Sequence, residues 1–402
     1  MSIREVVLAG LNFNSLLGLS RVFGKLGYSV SVIRTAASAN MGALKRIGTI
    51  PEAESKYVRS FKLIEVNNPE LLVRTLLESK KEDKAILIPV DDLTAETIDR
   101  SYDLLSNYYY LPSVGGKQGG VVKLMDKAYQ KKLAAAAGMR TAPSVSIEIR
   151  DGRYNIPENV SYPCFAKAEI PFRSRKEYMG MCEDKRALDQ LLSQAAAFCD
   201  CTMIVEDYLP VDEEYCIVGL CNKSDVCIPD VIDEMVLGHG IHSGVTCYGK
   251  VLNPGLFNDF IQKLKPFLSK LDFQGFFTVD VIKSGGELYF CELNMRIGGS
   301  GIAIIGAGVD LAQMYAEMFE EKDHQSYDLA CREITFASER PLLNDFMLKE
   351  ITWKQYLEYL KKADYRFVYA EDDLKPYFHY LLLVLRSGLK RMIRNRRRSL
   401  NR

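Results

Sequence analysis

The chain has 402 residues, 48% of them hydrophobic, and its 52 basic and 52 acidic side chains cancel to no formal net charge. That length admits two or three domains with ample core, the composition is that of a soluble α/β protein, and no apolar run is long enough to form a transmembrane helix. The ten cysteines are scattered without a CxxC pair and the four histidines are dispersed, which argues against a zinc pattern and for buried, reduced thiols in a cytosolic protein.

In chain order, the opening "MSIREVVLAGLNF" mixes charges into a short apolar run, so it reads as a first strand and not as a signal peptide. The run 4–10 ends at Gly10. Leu16, Leu19, Val22, Phe23 and Leu26 then recur at helical spacing up to Gly27, and "SVSVI" forms a second strand. This β-α-β opening predicts a parallel sheet with helices on its faces. Further strands fit 85–90 and 108–114, with a helix over 93–106 between them. Residues 1–112 are thus expected to form a Rossmann-like unit; they contain no G-x-G-x-x-G, so nothing here points to a dinucleotide.

A helix is predicted over 121–138, ending at Gly138, and strands at 162–168, 202–209 and 214–221 alternate as in an antiparallel sheet. After a helix at 258–271, "FFTVDVI" (276–282) and "LYFCELN" (288–294) form a hairpin across "KSGGE", and a helix runs from about 309 to 320. On the second hairpin strand Glu292, Asn294 and Arg296 share one face, with Cys291, Leu293 and Met295 on the other. Polar groups on one face of an apolar strand need a partner in front of them. If the hairpin aligns Asp280 with Glu292, two carboxylates and an amide oxygen suit Mg²⁺, and Arg296 suits phosphate oxygens. A merely hydrated polar face is the alternative.

Residues 374–402 carry nine basic side chains and no acid. The segment from 377, "YFHYLLLVLRSGLKRMIRNRRRSLNR", is apolar and then basic, which fits a helix on an anionic lipid surface. A solvated or disordered tail, or nucleic-acid binding through the arginines, fits the same composition.

The combination "GFFTVDVI…GGELYFCELNMRIGGSG" resembles the metal-binding hairpin of the ATP-grasp superfamily, and other fragments follow in that family's order. "LMDKAYQKKLAAAAGMRTAPSV" is similar to its D-K helix, "YPCFAKA" to the strand ending in a second nucleotide lysine, "IVEDYLPVDEEYCIVG" to its hinge, and "GVDL" (308–311) to the turn after the metal strand. The resemblance covers about 1–325. It implies an α/β (α+β) fold with a pre-ATP-grasp domain at 1–112 and a two-subdomain ATP-grasp domain at 113–328, its lid at about 140–210. A helical, basic C-terminal extension follows at 329–402. By residue, Lys127 and Lys167 would hold the α- and β-phosphates of ATP. Glu206, the backbone of Asp207, Tyr208 and Leu209, and Glu214 would bind adenine and ribose. Asp280, Glu292 and Asn294 would ligate Mg²⁺ (or Mn²⁺), with Arg296 as the catalytic cation.

"GIHSGVTCYGKVLNP" (240–254) is similar to a segment of the carbamoyl phosphate synthase-like branch and suggests that His242 contacts the acyl phosphate or nucleotide. Two departures stand out. Ala168 follows Lys167 where proline is usual, and the phosphate-capping loop, "EIPFRSRKEYMGM" (169–181), has Gly180 as its one glycine but adds Arg173, Arg175 and Lys176. The resemblance implies an ADP-forming carboxylate–amine ligase acting on small molecules, with a dimer as a possible assembly and a cytoplasmic or inner-membrane-surface location. An envelope or lipid-linked substrate would give the tail a purpose. Arg34, Lys45 and Arg46 are candidates for an acceptor's carboxylate or phosphate, or are solvated surface. Bicarbonate activation, as in carbamoyl-phosphate or biotin-carboxylase enzymes, and a non-catalytic nucleotide-binding scaffold are the alternatives.

Overall fold

A computed structural model describes residues 3–36, 50–65, 68–169, 178–240, 244–320, 332–382 and 385. The first unit is a five-stranded sheet built from β1 (Glu5–Gly10), β2 (Ser29–Ala36), β3 (Val58–Glu65), β4 (Ala85–Pro89) and β5 (Tyr109–Tyr110), in the order β3-β2-β1-β4-β5. Every pairing is parallel. Helix Phe13–Lys25 follows β1; the Asn12 side chain caps it by accepting from Ser15 N–H at 3.2 Å, and Leu16, Leu19 and Phe23 are buried at the predicted spacing. Edge strand β3 and helix Pro69–Ser79 add to the sequence-based elements; β3 is largely half-exposed, so its apolar pattern is faint.

The strand expected over 108–114 divides. β5 stays in the parallel sheet, while β6 (Ser113–Val114) pairs with a strand of the largest sheet. Pro112 separates them, and proline has no N–H to continue a ladder. The helix expected over 121–138 likewise breaks, into Gly120–Leu124 and Lys127–Ala136. Asp126 lies between them and caps the second by accepting from Tyr129 N–H at 2.8 Å.

A small antiparallel sheet follows, from β7 (Ser144–Ile149), β8 (Cys164–Ala168), β9 (Gly180–Cys182) and β10 (Cys201–Asp207), in the order β7-β10-β8-β9. Helix Lys185–Ala196 covers it, and Ile147, Ile149, Leu188, Leu192, Met203 and Val205 make its core. The largest sheet contains β11 (Glu213–Lys223), β12 (Asp225–Leu237), β13 (Thr246–Leu252), β14 (Phe273–Ser284), β15 (Glu287–Asn294), β16 (Ile334–Ala337) and β17 (Tyr365–Arg366). Their order is β15-β14-β11-β12-β13-β16-β17, with β6 beside β14. Sequence alternation grouped β11 with the strands of the small sheet; it pairs instead with β12 and β14. Period-two alternation identifies a strand and its buried face but not its neighbour.

The segment after 328 is not purely helical. β16 extends the largest sheet beside β13, and helices Glu339–Leu348 and Trp353–Lys362 pack behind it. Buried Asp373 then ties this segment to the first unit by accepting from Arg21 Nε (2.9 Å), Ser55 Oγ (2.7 Å) and Lys56 N–H (3.0 Å). One continuous core joins Val6, Leu8, Val30 and Ile86 of the parallel sheet to Val218, Ile232 and Phe336 of the largest sheet, through helix Phe13–Lys25 and helix Leu311–Phe319. The small sheet keeps a separate core.

Candidate active site

The β14–β15 hairpin forms as the sequence predicts, and its register sets Asp280 directly opposite Glu292 and Thr278 opposite Asn294. One feature departs from simple alternation. The register jumps from Asp280–Glu292 to Val281–Phe290, which makes Cys291 the extra residue of a bulge. Cys291 was expected on the face opposite Glu292; the bulge instead brings its thiol into the field of Lys167, Asp280, Glu206 and Lys131, and burial pushes it up to about 12.

Burial pushes the Asp280 carboxyl well above the usual carboxylate range, and the charges of Glu292 and Glu234 push it further. Burial acts on Glu292 in the same sense, but Lys127 and Lys167 outweigh it and hold that carboxyl down to about 2. Asn294 Nδ2 donates to Asp280 Oδ2 at 3.2 Å. Among the described residues no three His, Cys, Asp or Glu side chains converge on one point, so the donor set is two carboxylates plus the amide. Opposed buried carboxylates with an amide oxygen fit a hard divalent cation, whose charge would relieve their repulsion.

Three lysines face these acids. Lys127, the first residue of its helix, is ion-paired with Glu292. Glu206, on β10, accepts from Lys167 at 2.8 Å and from Lys131 at 2.6 Å. Its carboxyl is lowered because the two ammonium charges outweigh burial. Glu206, expected to contact adenine or ribose, has its carboxylate paired with two lysines. Lys131 was not singled out in the sequence. The available signal was its i+4 spacing from Lys127, which puts both ammonium groups on one helix face. That helix is seated on β15 by Gln130, whose Oε1 accepts from Leu293 N–H (2.8 Å) and whose Nε2 donates to Leu293 carbonyl (2.7 Å). The amide thereby satisfies an edge-strand residue that has no strand on its outer side.

Arg296 leaves the end of β15 and meets Asp92 through two bonds, Nε–Oδ1 at 2.7 Å and Nη2–Oδ2 at 2.9 Å. Burial opposes its charge, but Asp92 and Asp91 hold it cationic. Asp92 starts the helix after β4, so the clasp aligns Arg296 with the carboxyl ends of the parallel strands. Sequence alone offered no link between positions 92 and 296. The glycines after Arg296 allow close approach: a Cβ on Gly299 would meet Asn12 Nδ2 at 3.0 Å, and Ser15 Oγ donates to Gly298 carbonyl at 3.4 Å.

The remaining expected residues distribute unevenly. Asp207 and Tyr208 use their N–H groups on the carbonyls of Pro143 (2.9 Å) and Pro163 (3.0 Å). Leu209 alone of the three shows no such tether among the described residues. Glu214 lies one pleat from Cys216, the residue paired with Asp280, so it shares that sheet face, and burial raises its carboxyl. Glu234, unforeseen, is bonded to Thr246 and raised chiefly by burial. His242, the loop residues Arg173, Arg175 and Lys176, and Lys45 and Arg46 lie outside the described residues. Arg34 is described: it lies two residues before the end of β2, against Glu52.

With this geometry in place, comparison with known proteins is informative. Residues 126–323 match the family model described as carbamoyl-phosphate synthase L chain, ATP binding domain. No curated protein matches by sequence. Among solved structures, the biotin carboxylase domain of Hydrogenobacter thermophilus 2-oxoglutarate carboxylase, described as a dimer with MgADP and bicarbonate, shares the fold. It aligns with a TM-score of 0.61 and 18% identity, over 83% of this chain and 74% of that one. The L-amino acid ligase of Bacillus licheniformis aligns with a TM-score of 0.59 and 13% identity, over 83% of this chain and 79% of that one. N5-carboxyaminoimidazole synthetase of Staphylococcus aureus gives 0.59 and 14%, over 88% and 87%. The match over residues 126–323, just under half of the chain, and the fold shared with these structures support an ATP-grasp superfamily ligase.

Proposed function

We propose that the chain uses ATP to convert a carboxylate into an acyl phosphate and joins it to an amine, releasing ADP and phosphate. The observation that carries this reading is the storage of charge at the site: Lys127 rests on Glu292, and Lys131 and Lys167 rest on Glu206. A triphosphate gives those ammonium groups a stronger anionic partner and frees Glu292, with Asp280 and Asn294, to hold a magnesium or manganese ion. That ion would supply charge neutralisation at the phosphates.

The chain's own residues account for the rest. Lys127 and Lys167 bind phosphate oxygens, and Arg296, oriented by Asp92, faces the transferred phosphoryl group as charge builds on it. The substrate carboxylate oxygen attacks the γ-phosphorus and the bond to the ADP oxygen breaks. The amine then attacks the acyl carbon, phosphate leaves, and the nitrogen gives up a proton. Exclusion of water protects the acyl phosphate between the two steps. Measuring ADP release with Mg²⁺-ATP across a panel of carboxylates and amines, with hydroxylamine as a trap, tests this. Substrate-dependent ADP with hydroxamate is expected, bicarbonate dependence would identify the alternative activation chemistry, and silence with every substrate would refute the ligase reading. The basic tail from 377 motivates a further proposal, an envelope or lipid-linked substrate used at a membrane surface. Flotation with anionic vesicles should depend on residues 377–402; equal flotation without them refutes it.

A further inference from the structure

The crevice at the carboxyl ends of the parallel strands gathers arginines from the first unit and from the C-terminal segment. In an open parallel sheet this crevice, at the point where strand order reverses, is where ligands are received; here the reversal lies at β1, between β2 and β4. Arg34, near the carboxyl end of β2, lies directly beside Gly10, the last residue of β1. Its side chain is only 9% exposed, Glu52 lies against it, and its buried Nε donates to no atom among the described residues. Arg340 enters the same crevice from the C-terminal segment, with its guanidinium 4.4 Å from the centre of the Phe13 ring.

No carboxylate is bonded to Arg340 among the described residues. The adjacent Glu339 is occupied elsewhere, accepting from Val368 N–H at 2.9 Å and Tyr369 N–H at 3.0 Å. Burial, then the charge of Arg340, lowers Arg34 to about 9. Among the described residues Glu52 is the one carboxylate lying against Arg34 and none is bonded to Arg340, which leaves a positive charge without a bonded acid in a partly enclosed place. Such a charge is costly unless an anion completes it. Arg340 is nevertheless only partly buried, although burial is what chiefly lowers its guanidinium. The crevice is also continuous with the candidate active site. Phe13 follows Asn12, which touches Gly299 of the loop after Arg296, and Asn14 Nδ2 donates at 3.0 Å to Ser338 Oγ, two residues before Arg340.

We infer that Arg340, with Arg34 beside it, forms a subsite for an oxyanion, a carboxylate or a phosphate, carried by the substrate in addition to the carboxylate that is activated. A planar fork open on one side suits either group through paired hydrogen bonds. The inference rests on the ligase reading for its purpose but not for its detection. The ligand class is therefore a substrate with at least two anionic groups, one at the phosphoryl-transfer site beside Arg296 and one held in the crevice.

The test uses the full chain and two variants, Arg340→Met and Arg340→Gln; the second keeps a polar head over Phe13 while removing the charge. Calorimetric titration with glutarate and, separately, with inorganic phosphate reads the subsite without turnover. Binding of at least one probe is expected, weakened about tenfold or more in both variants with little change in melting temperature; the stronger probe tells carboxylate from phosphate. In the ADP-release assay, KM for dianionic substrates should rise by a similar factor while KM for ATP holds. Where Arg340→Met does not fold, Arg340→Gln decides. Failure of both probes to bind the unaltered protein, unchanged binding in a folded variant, or a loss confined to kcat overturns the subsite. Absence of ADP release with every substrate sinks the ligase reading alone, because the titration needs no reaction.

Discussion

The acidic and basic halves of the candidate site rest on different supports. Asp280, Glu292 and Asn294 sit on adjacent strands of the largest sheet, which shares one continuous core with the parallel sheet and clasps Arg296 through Asp92. Lys167 and Glu206 sit on a four-stranded sheet with its own small core, and Lys127 and Lys131 on the helix that precedes it. Ion pairs are the bridge: Lys127 joins the helix to Glu292 of the largest sheet, and Lys131 joins it to Glu206 of the small sheet. A site divided this way can keep the proposed metal ligands and Arg296 fixed while Lys167 of the small sheet closes on a nucleotide.

The largest expected effect comes from the fixed half. Glu292→Ala removes a proposed metal ligand and also the anion opposite Asp280, so substrate-dependent ADP release should fall by about a hundredfold or more, with circular dichroism and melting temperature near the unaltered values. Full activity in this variant would refute the account of β15. Lys167→Met attacks the other half: KM for ATP should rise about 10- to 100-fold, the worth of a charge-assisted hydrogen bond, with kcat less affected. A fall in kcat alone would show that Lys167 does not bind the ground-state nucleotide. Asp92→Asn keeps the shape of the Arg296 clasp but halves its character, so kcat/KM for the acceptor should drop about tenfold at unchanged KM for ATP. An equal change in both constants would deny the division into halves. The smallest effect sharpens the mechanical side. Ile147→Val in the core of the small sheet should cost about 1 kcal/mol, and hydrogen exchange should quicken in β7, β8 and β10 without change in β11 and β14. Exchange quickening in all of them together would mean that the two cores unfold as one.

Much of this was legible before any coordinates. Gly10 and the helix after it, the hairpin carrying Asp280 and Glu292, and the Asp126–Lys127 pair each declare themselves within a dozen residues, because capping, alternation and turn chemistry act over short spans. The positions that escaped are those decided by partners far along the chain. Asp92 meets Arg296 across 204 positions and Gln130 meets Leu293 across 163, and nothing local marks either. The bulge at Cys291 escaped for a related reason: alternation assumes an unbroken register, and the extra residue is visible only once β14 lies alongside β15. The placement of β11 failed likewise, since a strand's pattern does not name its neighbour.

By itself, then, the sequence determined the element types, the two classes of sheet and the inventory of lysines and carboxylates from which a nucleotide site could be built. Tertiary structure decided which charges neutralise which: Glu206 as the counter-ion of Lys131 and Lys167, Asp92 as the seat of Arg296, and Arg340 left beside Arg34 with no acid of its own. The physical reason is range. Backbone propensities and caps are settled by near neighbours, whereas the energy of a buried charge depends on whatever the fold brings within a few ångströms of it.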